Sequence, residues 1–133
     1  MSRPVTPSIP WRILLVCLAL VLGSACATIP PYEATDIGSI AGRWRGYAYA
    51  SEWGSFFMTF MIVESGEFRV RSDRPYELLM AHSGNIWIAD GKFLFTSNTK
   101  GLNGTGLLYR SEKERWISFR SDNGSMTIQL RPF

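Results

Sequence analysis

Apolar and polar residues alternate in short runs from residue 42 to the end of the chain. Runs rich in Tyr, Phe, Trp, Ile, Val and Thr are separated by clusters of Gly, Asn, Asp and Ser. This alternation is typical of strands with one buried face, and no segment shows a convincing helical period. We predict strands over residues 42–50, 55–64, 67–72, 76–81, 85–89, 92–97, 105–110, 115–121 and 125–131.

The connections between these strands are short, so consecutive strands are expected to pair as antiparallel neighbours. Closing such a sheet on itself removes its vulnerable edges. We therefore predict an all-β fold, a single antiparallel up-and-down barrel of about eight strands over residues 41–133. The region 71–84 fits least well, because Pro75 cannot donate to a ladder and the phase that buries Leu79 turns Glu77 inward.

The turns predict which residues face the interior, because a one-residue slip moves every side chain to the other face. A four-residue connection at 51–54 and a two-residue turn at 65–66 both place Met61 on the face of Trp44. An Asp-Gly pair at 90–91 and an Asn-Gly pair at 123–124 fix the later strands. The predicted interior is Trp44, Phe57, Met61, Val63, Phe68, Val70, Ile86, Ile88, Phe93, Phe95, Leu108, Ile117, Phe119, Met126, Ile128 and Leu130.

The same phase predicts an outer contact surface on the first three strands. It places four arginines around two large apolar side chains; the set is Arg43, Arg45, Phe60, Ile62, Arg69 and Arg71. One interpretation is structural: arginine stems cover ordinary exposed hydrophobes, or another segment packs there. The other is a surface that contacts a partner protein, a second copy of the chain or anionic lipid headgroups.

The N-terminal residues have a different pattern. Arg3 and Arg12 are the only charges in the first 32 residues, and the 13 residues 13–25 carry none. A helix of that length reaches about 20 Å, short of a hydrocarbon core of about 30 Å. A positive start, a short apolar run and small residues at its end predict a secretory signal peptide over residues 1–25.

Small residues followed by a cysteine end this segment. The sequence from Leu22 to Cys26 resembles the lipobox of bacterial lipoproteins, and departs from it at Gly23, where that family usually has Leu. The resemblance implies cleavage before Cys26, diacylglycerol on its sulfur and an acylated amine. Ala27 resembles the residue of lipoproteins sorted to the outer membrane, so the expected location is that membrane, facing the periplasm. Residues 26–40 are then the lipidated cysteine and a flexible tether.

The start of the first strand carries a second resemblance. Gly42-x-Trp44, which opens a meander of strands, resembles the lipocalin and avidin-like barrels. Together with Ala41 and Arg43 the same residues are similar to the small periplasmic protease-inhibitor barrels, some of which are lipoproteins.

Two kinds of binding partner follow from these resemblances. A lipocalin-like barrel implies a small apolar ligand inside, where Gly46 and Ala48 are small residues on the inner face. An inhibitor-like barrel implies an exposed loop that contacts an enzyme, and the connection at 51–54 with Trp53 at its tip is the candidate.

Charge argues against nucleic-acid binding. The formal net charge is +3, but removing Arg3 and Arg12 with the signal peptide leaves 12 basic against 11 acidic residues, a net charge of +1. The two cysteines, Cys17 and Cys26, fall in the signal peptide and at the lipidation site. The mature domain therefore has no thiol for a disulfide or a thiolate metal site.

The candidate catalytic groups are dispersed. Ten of the carboxylates lie in the linker or beside separate turns, and the single histidine, His82, lies in a connection. Hydrolysis by paired acid and base needs two groups that share a substrate. We therefore expect no enzymatic activity, metal or cofactor, and predict an outer-membrane-anchored binding or accessory module of the envelope. The alternative is an enzyme inhibitor or a structural interaction protein that acts through its outer surface.

Overall fold

Eight antiparallel strands follow one another around a closed barrel, in which β1 also pairs with β8. The computed structural model describes residue 2 and residues 28–73, 82–97 and 102–133. The strands are β1 (Gly42–Ala50), β2 (Gly54–Ile62), β3 (Glu67–Ser72), β4 (His82–Ala89), β5 (Lys92–Ser97), β6 (Gly104–Arg110), β7 (Arg115–Ser121) and β8 (Met126–Pro132), after a short 3-10 helix, Ile37–Ile40. The predicted all-β up-and-down barrel is confirmed.

Several predictions lie outside the described residues: the signal peptide, the lipidated Cys26 and the strand over 76–81 with Glu77. Within the part of the chain that the structure describes, no helix is both long and apolar enough to cross a membrane.

Inward-facing side chains of all eight strands form one apolar core. Twelve residues of the predicted interior are buried in it, and these are Trp44, Phe68, Val70, Ile86, Phe93, Phe95, Leu108, Ile117, Phe119, Met126, Ile128 and Leu130. Ile88 also has the inward phase, but it lies at the end of β4 and is exposed. Burial at about 25 cal/mol per Å² of apolar surface makes this core the main source of stability.

The two later hairpins have the predicted register. At the turn of residues 90–91, Ile88 pairs with Phe93, and Asp90 and Gly91 both have positive φ. Two positive φ angles are what a two-residue turn of type I′ requires. At the turn that contains Gly124, Phe119 pairs with Ile128.

The predicted phase of β2 is wrong by one residue. Ala50 pairs with Gly54 across a three-residue connection, so Trp44 lies opposite Phe60 and not Met61. As a result Phe57, Met61 and Val63, which we predicted inside, lie on the outer face or beyond the strand. Phe56, Met58, Phe60 and Ile62 are buried instead.

Both hairpins that flank β2 use a glycine in the left-handed region. Gly54 has φ +72 and joins the ladder as the partner of Ala50, and Gly66 has φ +96. The Val63 amide donates to the Glu67 carbonyl at 2.9 Å, which leaves a three-residue connection between these two residues. The predicted two-residue turn would have set Glu64 directly opposite Glu67, an unfavourable pair of like charges.

Residues 32–40, here called the strap, close the end of the barrel at which β1 begins, here called the lower end. The Tyr32 amide donates to the Leu108 carbonyl at 2.6 Å and the Ala34 amide to the Gly91 carbonyl at 2.8 Å. Ala34 and Ile40 are buried in the core. The strap therefore belongs to the folded domain, although the sequence assigns it to the flexible tether.

Trp44 joins the strap to the barrel. Its indole Nε1 donates to the Ile40 carbonyl at 2.7 Å, and the Arg115 guanidinium lies 5.0 Å from its ring centroid. Arg115 Nη1 also donates to the Ser39 carbonyl at 3.1 Å. The Gly42-x-Trp44 motif thus begins β1 with a tryptophan that seals the lower end.

Candidate functional site

The interior of the barrel is occupied by aromatic rings that touch one another. Phe60 and Phe68 have ring centroids 6.0 Å apart, and Phe95 lies 5.4 Å from both Phe68 and Phe119. All four side chains are buried. Three of these rings lie over inward-facing glycines at positions 84, 104 and 106, where an added Cβ would come within 3 Å of a ring atom. Side chains and close backbone thus fill the space between the strands.

Gly46 and Ala48, the two small residues that were expected to leave space inside the barrel, do not leave any. A Cβ on Gly46 would lie 1.7 Å from the backbone carbonyl oxygen of Gln129, so β1 and β8 approach too closely there for any side chain. Ala48 lies opposite Phe56, whose ring is buried. Among the residues that the structure describes, the interior therefore offers packed rings where a ligand-binding barrel would offer a cavity.

Trp53 does not form a protruding tip. It lies at the end of the barrel opposite the lower end, half-buried, and packs against the core with its ring 6.5 Å from that of Phe56. Its amide donates to the Ala50 carbonyl at 3.1 Å and holds the connection tight. This geometry does not give the connection the exposed aromatic tip that the inhibitor interpretation needs.

The outer face of β1, β2 and β3 carries the arginines that the sequence predicts to form a contact surface. In the observed register, the residues of β2 that lie between the arginines differ from those predicted. Met61 lies between Arg43 and Arg69, and Thr59 lies between Arg45 and Arg71. Phe60 and Ile62, which we predicted to lie on this surface, are in the core, because the phase of β2 differs by one residue. We call these six outward residues (Arg43, Arg45, Thr59, Met61, Arg69 and Arg71) the arginine wall.

The charge of the arginine wall is not neutralised within the described part of the chain. All four guanidinium groups belong to exposed residues, and none has a described carboxylate within ion-pair distance. Arg45 lies 5.0 Å from the ring centroid of Phe133, and its cross-strand neighbour Arg131 pairs with Glu114. The result is a concentrated positive field on one side of the barrel.

Apolar side chains lie at the lower edge of the arginine wall. Met61 is 41% exposed, Val63 49% and the terminal Phe133 52%. The Phe133 amide donates to the Arg43 carbonyl at 3.3 Å, which keeps this residue beside β1. Met61 and Val63 were predicted to lie in the core, and for both residues that prediction is wrong.

A groove extends the arginine wall toward β4 and β5. Its polar lining includes Arg43, Arg69 and Arg71, together with Ser83, Asn85 and Thr96. Glu67 also lines it, at its lower edge. Guanidinium, hydroxyl and amide groups together offer many donors to an anionic ligand with several oxygens.

The groups that catalysis or metal binding would need do not converge. Every carboxylate in the described ranges belongs to an exposed residue, and no group of His, Cys, Asp and Glu among these residues is placed to hold a metal ion. His82 is the first residue of β4 and not part of a loop as predicted. Glu77, the one carboxylate expected to point inward, lies outside the described residues.

Comparison with known proteins gives no family. No protein-family model, curated protein or solved structure matches this chain.

Proposed function

We propose that this protein is a non-enzymatic lipoprotein of the bacterial envelope, anchored through lipid on Cys26 to the outer membrane and facing the periplasm, whose barrel binds its partner through the arginine wall. The observation that carries the proposal is the pairing of a filled interior with an arginine wall that has no described counter-charge. The lipobox-like sequence that ends at Cys26 supports the anchor.

Binding on the outside fits the distribution of polar groups better than binding inside. A ligand in the barrel would have to displace rings such as Phe68 and Phe95, each of which contributes about 1.5–3 kcal/mol by its burial. The arginine wall, in contrast, needs no rearrangement to meet an anionic surface. A lipocalin-like fold with a small apolar ligand inside is therefore not part of the proposal.

Attachment near the strap restricts how the domain meets its surroundings. Residues 27–31 separate Cys26 from Tyr32, the first strap residue bonded to the barrel. Six peptide units reach at most about 20 Å. The anchor would thus hold the lower end within about one barrel diameter of the membrane surface, and a bound partner must lie in that zone.

Site-specific crosslinking in cells tests the proposal. A photo-crosslinking amino acid is placed at Met61 in the full-length chain, and in a matched variant at Leu107, an outward residue of β6, four strands away around the barrel. We expect light-dependent adducts, to lipid or to protein, from position 61 and not from position 107. Equal adducts from both positions, or adducts from position 107 alone, would contradict binding through the arginine wall.

A further inference from the structure

We infer that the arginine wall docks the barrel onto anionic phospholipid headgroups of the leaflet that holds its anchor. The inference rests on the proposed function and names its ligand class. Three features support it: the arrangement of the arginines, the apolar residues at the edge of the wall, and the charge of the lower end.

The arrangement of the arginines suits phosphate groups. Arg45 has Arg131 as its cross-strand neighbour on β8 and, across Thr59, Arg71 on β3. Arg131 is paired with Glu114, but no described carboxylate pairs with Arg45 or Arg71. Phosphate oxygens accept paired hydrogen bonds from guanidinium groups and would supply the counter-charge that these two arginines lack.

The edge of the arginine wall suits the boundary between headgroups and acyl chains. Met61, Val63 and Phe133 are exposed there, and Arg43 and Arg69 flank Met61 on the neighbouring strands. Apolar side chains that enter this boundary while cations remain among the headgroups are typical of proteins that lie on a membrane. Arginine favours such sites, because its stem is apolar and its charged end stays in water.

The charge of the lower end decides the orientation. The strap and the lower-end turns carry six exposed carboxylates, which are Glu33, Asp36, Glu64, Asp90, Glu112 and Glu114, and the basic residues in or beside these turns are Lys92, Arg110, Lys113 and Arg115. If the barrel contacted the membrane with its lower end, these carboxylates would lie against anionic headgroups and be repelled by them. Contact through the arginine wall avoids this repulsion and gains the attraction of four arginines, against Glu67, which lines the groove, and Asp73, which lies two residues after Arg71. A short tether permits this contact and raises the effective concentration of lipid at the wall.

The test uses the unlipidated chain of residues 27–133, which contains every strand and every core residue of the barrel. Sedimentation measures its binding to vesicles of phosphatidylglycerol mixed with phosphatidylcholine, and to vesicles of phosphatidylcholine alone. We expect binding to the anionic vesicles only. The binding should weaken strongly between about 0.1 M and 0.5 M salt, because the screening length falls from about 10 Å to a few Å.

Two variants of equal net charge separate the wall from general electrostatics. The wall variant is Arg43/Arg69/Arg71→Ser, and the control variant is Lys92/Lys113/Arg120→Ser, whose three residues are exposed elsewhere on the barrel. Each cation near an anionic surface contributes about five-fold to the binding constant. We expect the wall variant to lose on the order of 100-fold in binding and the control variant to lose only a few-fold, with thermal melts confirming that both are folded.

The remaining outcomes distinguish failure of the lipid inference from failure of the proposed function. Equal losses in the two variants, or no binding of the parent chain to anionic vesicles, would overturn the inference. If Met61 still gave crosslinks to a protein in cells, the proposed function would stand and its partner would be an acidic protein surface. If position 61 gave no adduct of either kind, the proposed function itself would fail.

Discussion

Replacing Trp44 with alanine should leave the barrel largely unfolded at room temperature or only marginally stable. The side chain is fully buried, and its Nε1–H is bonded to the Ile40 carbonyl. Removing a large buried aromatic costs about 3–5 kcal/mol, whereas a domain of this size has about 5–10 kcal/mol in total. Loss of the ring also removes the surface on which Arg115 of β7 lies, and loss of Nε1–H removes one contact between the strap and the barrel.

The measurement is thermal unfolding of residues 27–133, followed by circular dichroism. A loss of this size lowers the melting temperature of a small domain by roughly 15 °C or more. Trp87→Ala is the matched control, because Trp87 lies on the outer face of β4 and is 62% exposed. A Trp44→Ala melting temperature within a few degrees of the parent would show that Trp44 does not hold the lower end together.

Replacing Cys26 with serine should move the protein from the membrane fraction to the soluble periplasmic fraction. Serine carries no thiol for the diacylglycerol, and no helix in the described ranges is long and apolar enough to cross a membrane. Several acyl chains are needed for stable attachment, since each buried methylene contributes about 0.8 kcal/mol and one chain is marginal. The change in distribution should therefore be nearly complete when the fractions are prepared at about 0.5 M salt, which screens the attraction between the arginine wall and anionic lipid.

Metabolic labelling with palmitate and fractionation measure this prediction together. The parent protein should carry label and sediment with outer membranes, and the serine variant should do neither. Cys17→Ser is the matched control, because it removes a thiol from the segment that the proposal expects to be cleaved. A labelled protein in the Cys26→Ser variant, or an unlabelled parent, would contradict lipidation at Cys26.

The strands and the closed meander follow from the sequence because they depend on alternation and short connections. The register of the later hairpins also follows, because Asp90 and Gly91 form a turn whose geometry admits two residues and no more. Such turns connect the local sequence directly to the phase of both strands.

The phase of β2 does not follow as simply, because residues 56–62 are apolar on both faces. Thr59 is the one polar residue within that run, and the observed phase turns it outward. The two predicted hairpins agreed with each other only because the length of each connection was wrong by one residue. Both observed connections have three residues, and each uses a left-handed glycine, Gly54 directly after the first and Gly66 within the second. Two features of the sequence favour the observed phase of β2. One is the polar residue Thr59, and the other is the like-charge pair that the predicted turn would form between Glu64 and Glu67.

The differences between the predicted and the observed contact surface result from the one-residue difference in the phase of β2. The four arginines keep their outward positions, since β1 and β3 have the predicted phase, but Met61 and Thr59 replace Ile62 and Phe60 between them. The strap was also not predictable in full, because its backbone bonds to Leu108 and Gly91 join it to residues far along the chain. Alternation within a segment carries no information on such contacts.

The most direct test of the proposed anchored module is the mass of its N-terminal peptide. The protein is extracted with detergent from membranes of cells that express the full-length chain, digested and analysed by mass spectrometry. The proposal predicts an N-terminal peptide that begins at Cys26 and carries a thioether-linked diacylglycerol and an amide-linked acyl chain. An N-terminal peptide that begins at another residue, or one that begins at Cys26 with a bare thiol and amine, would contradict it.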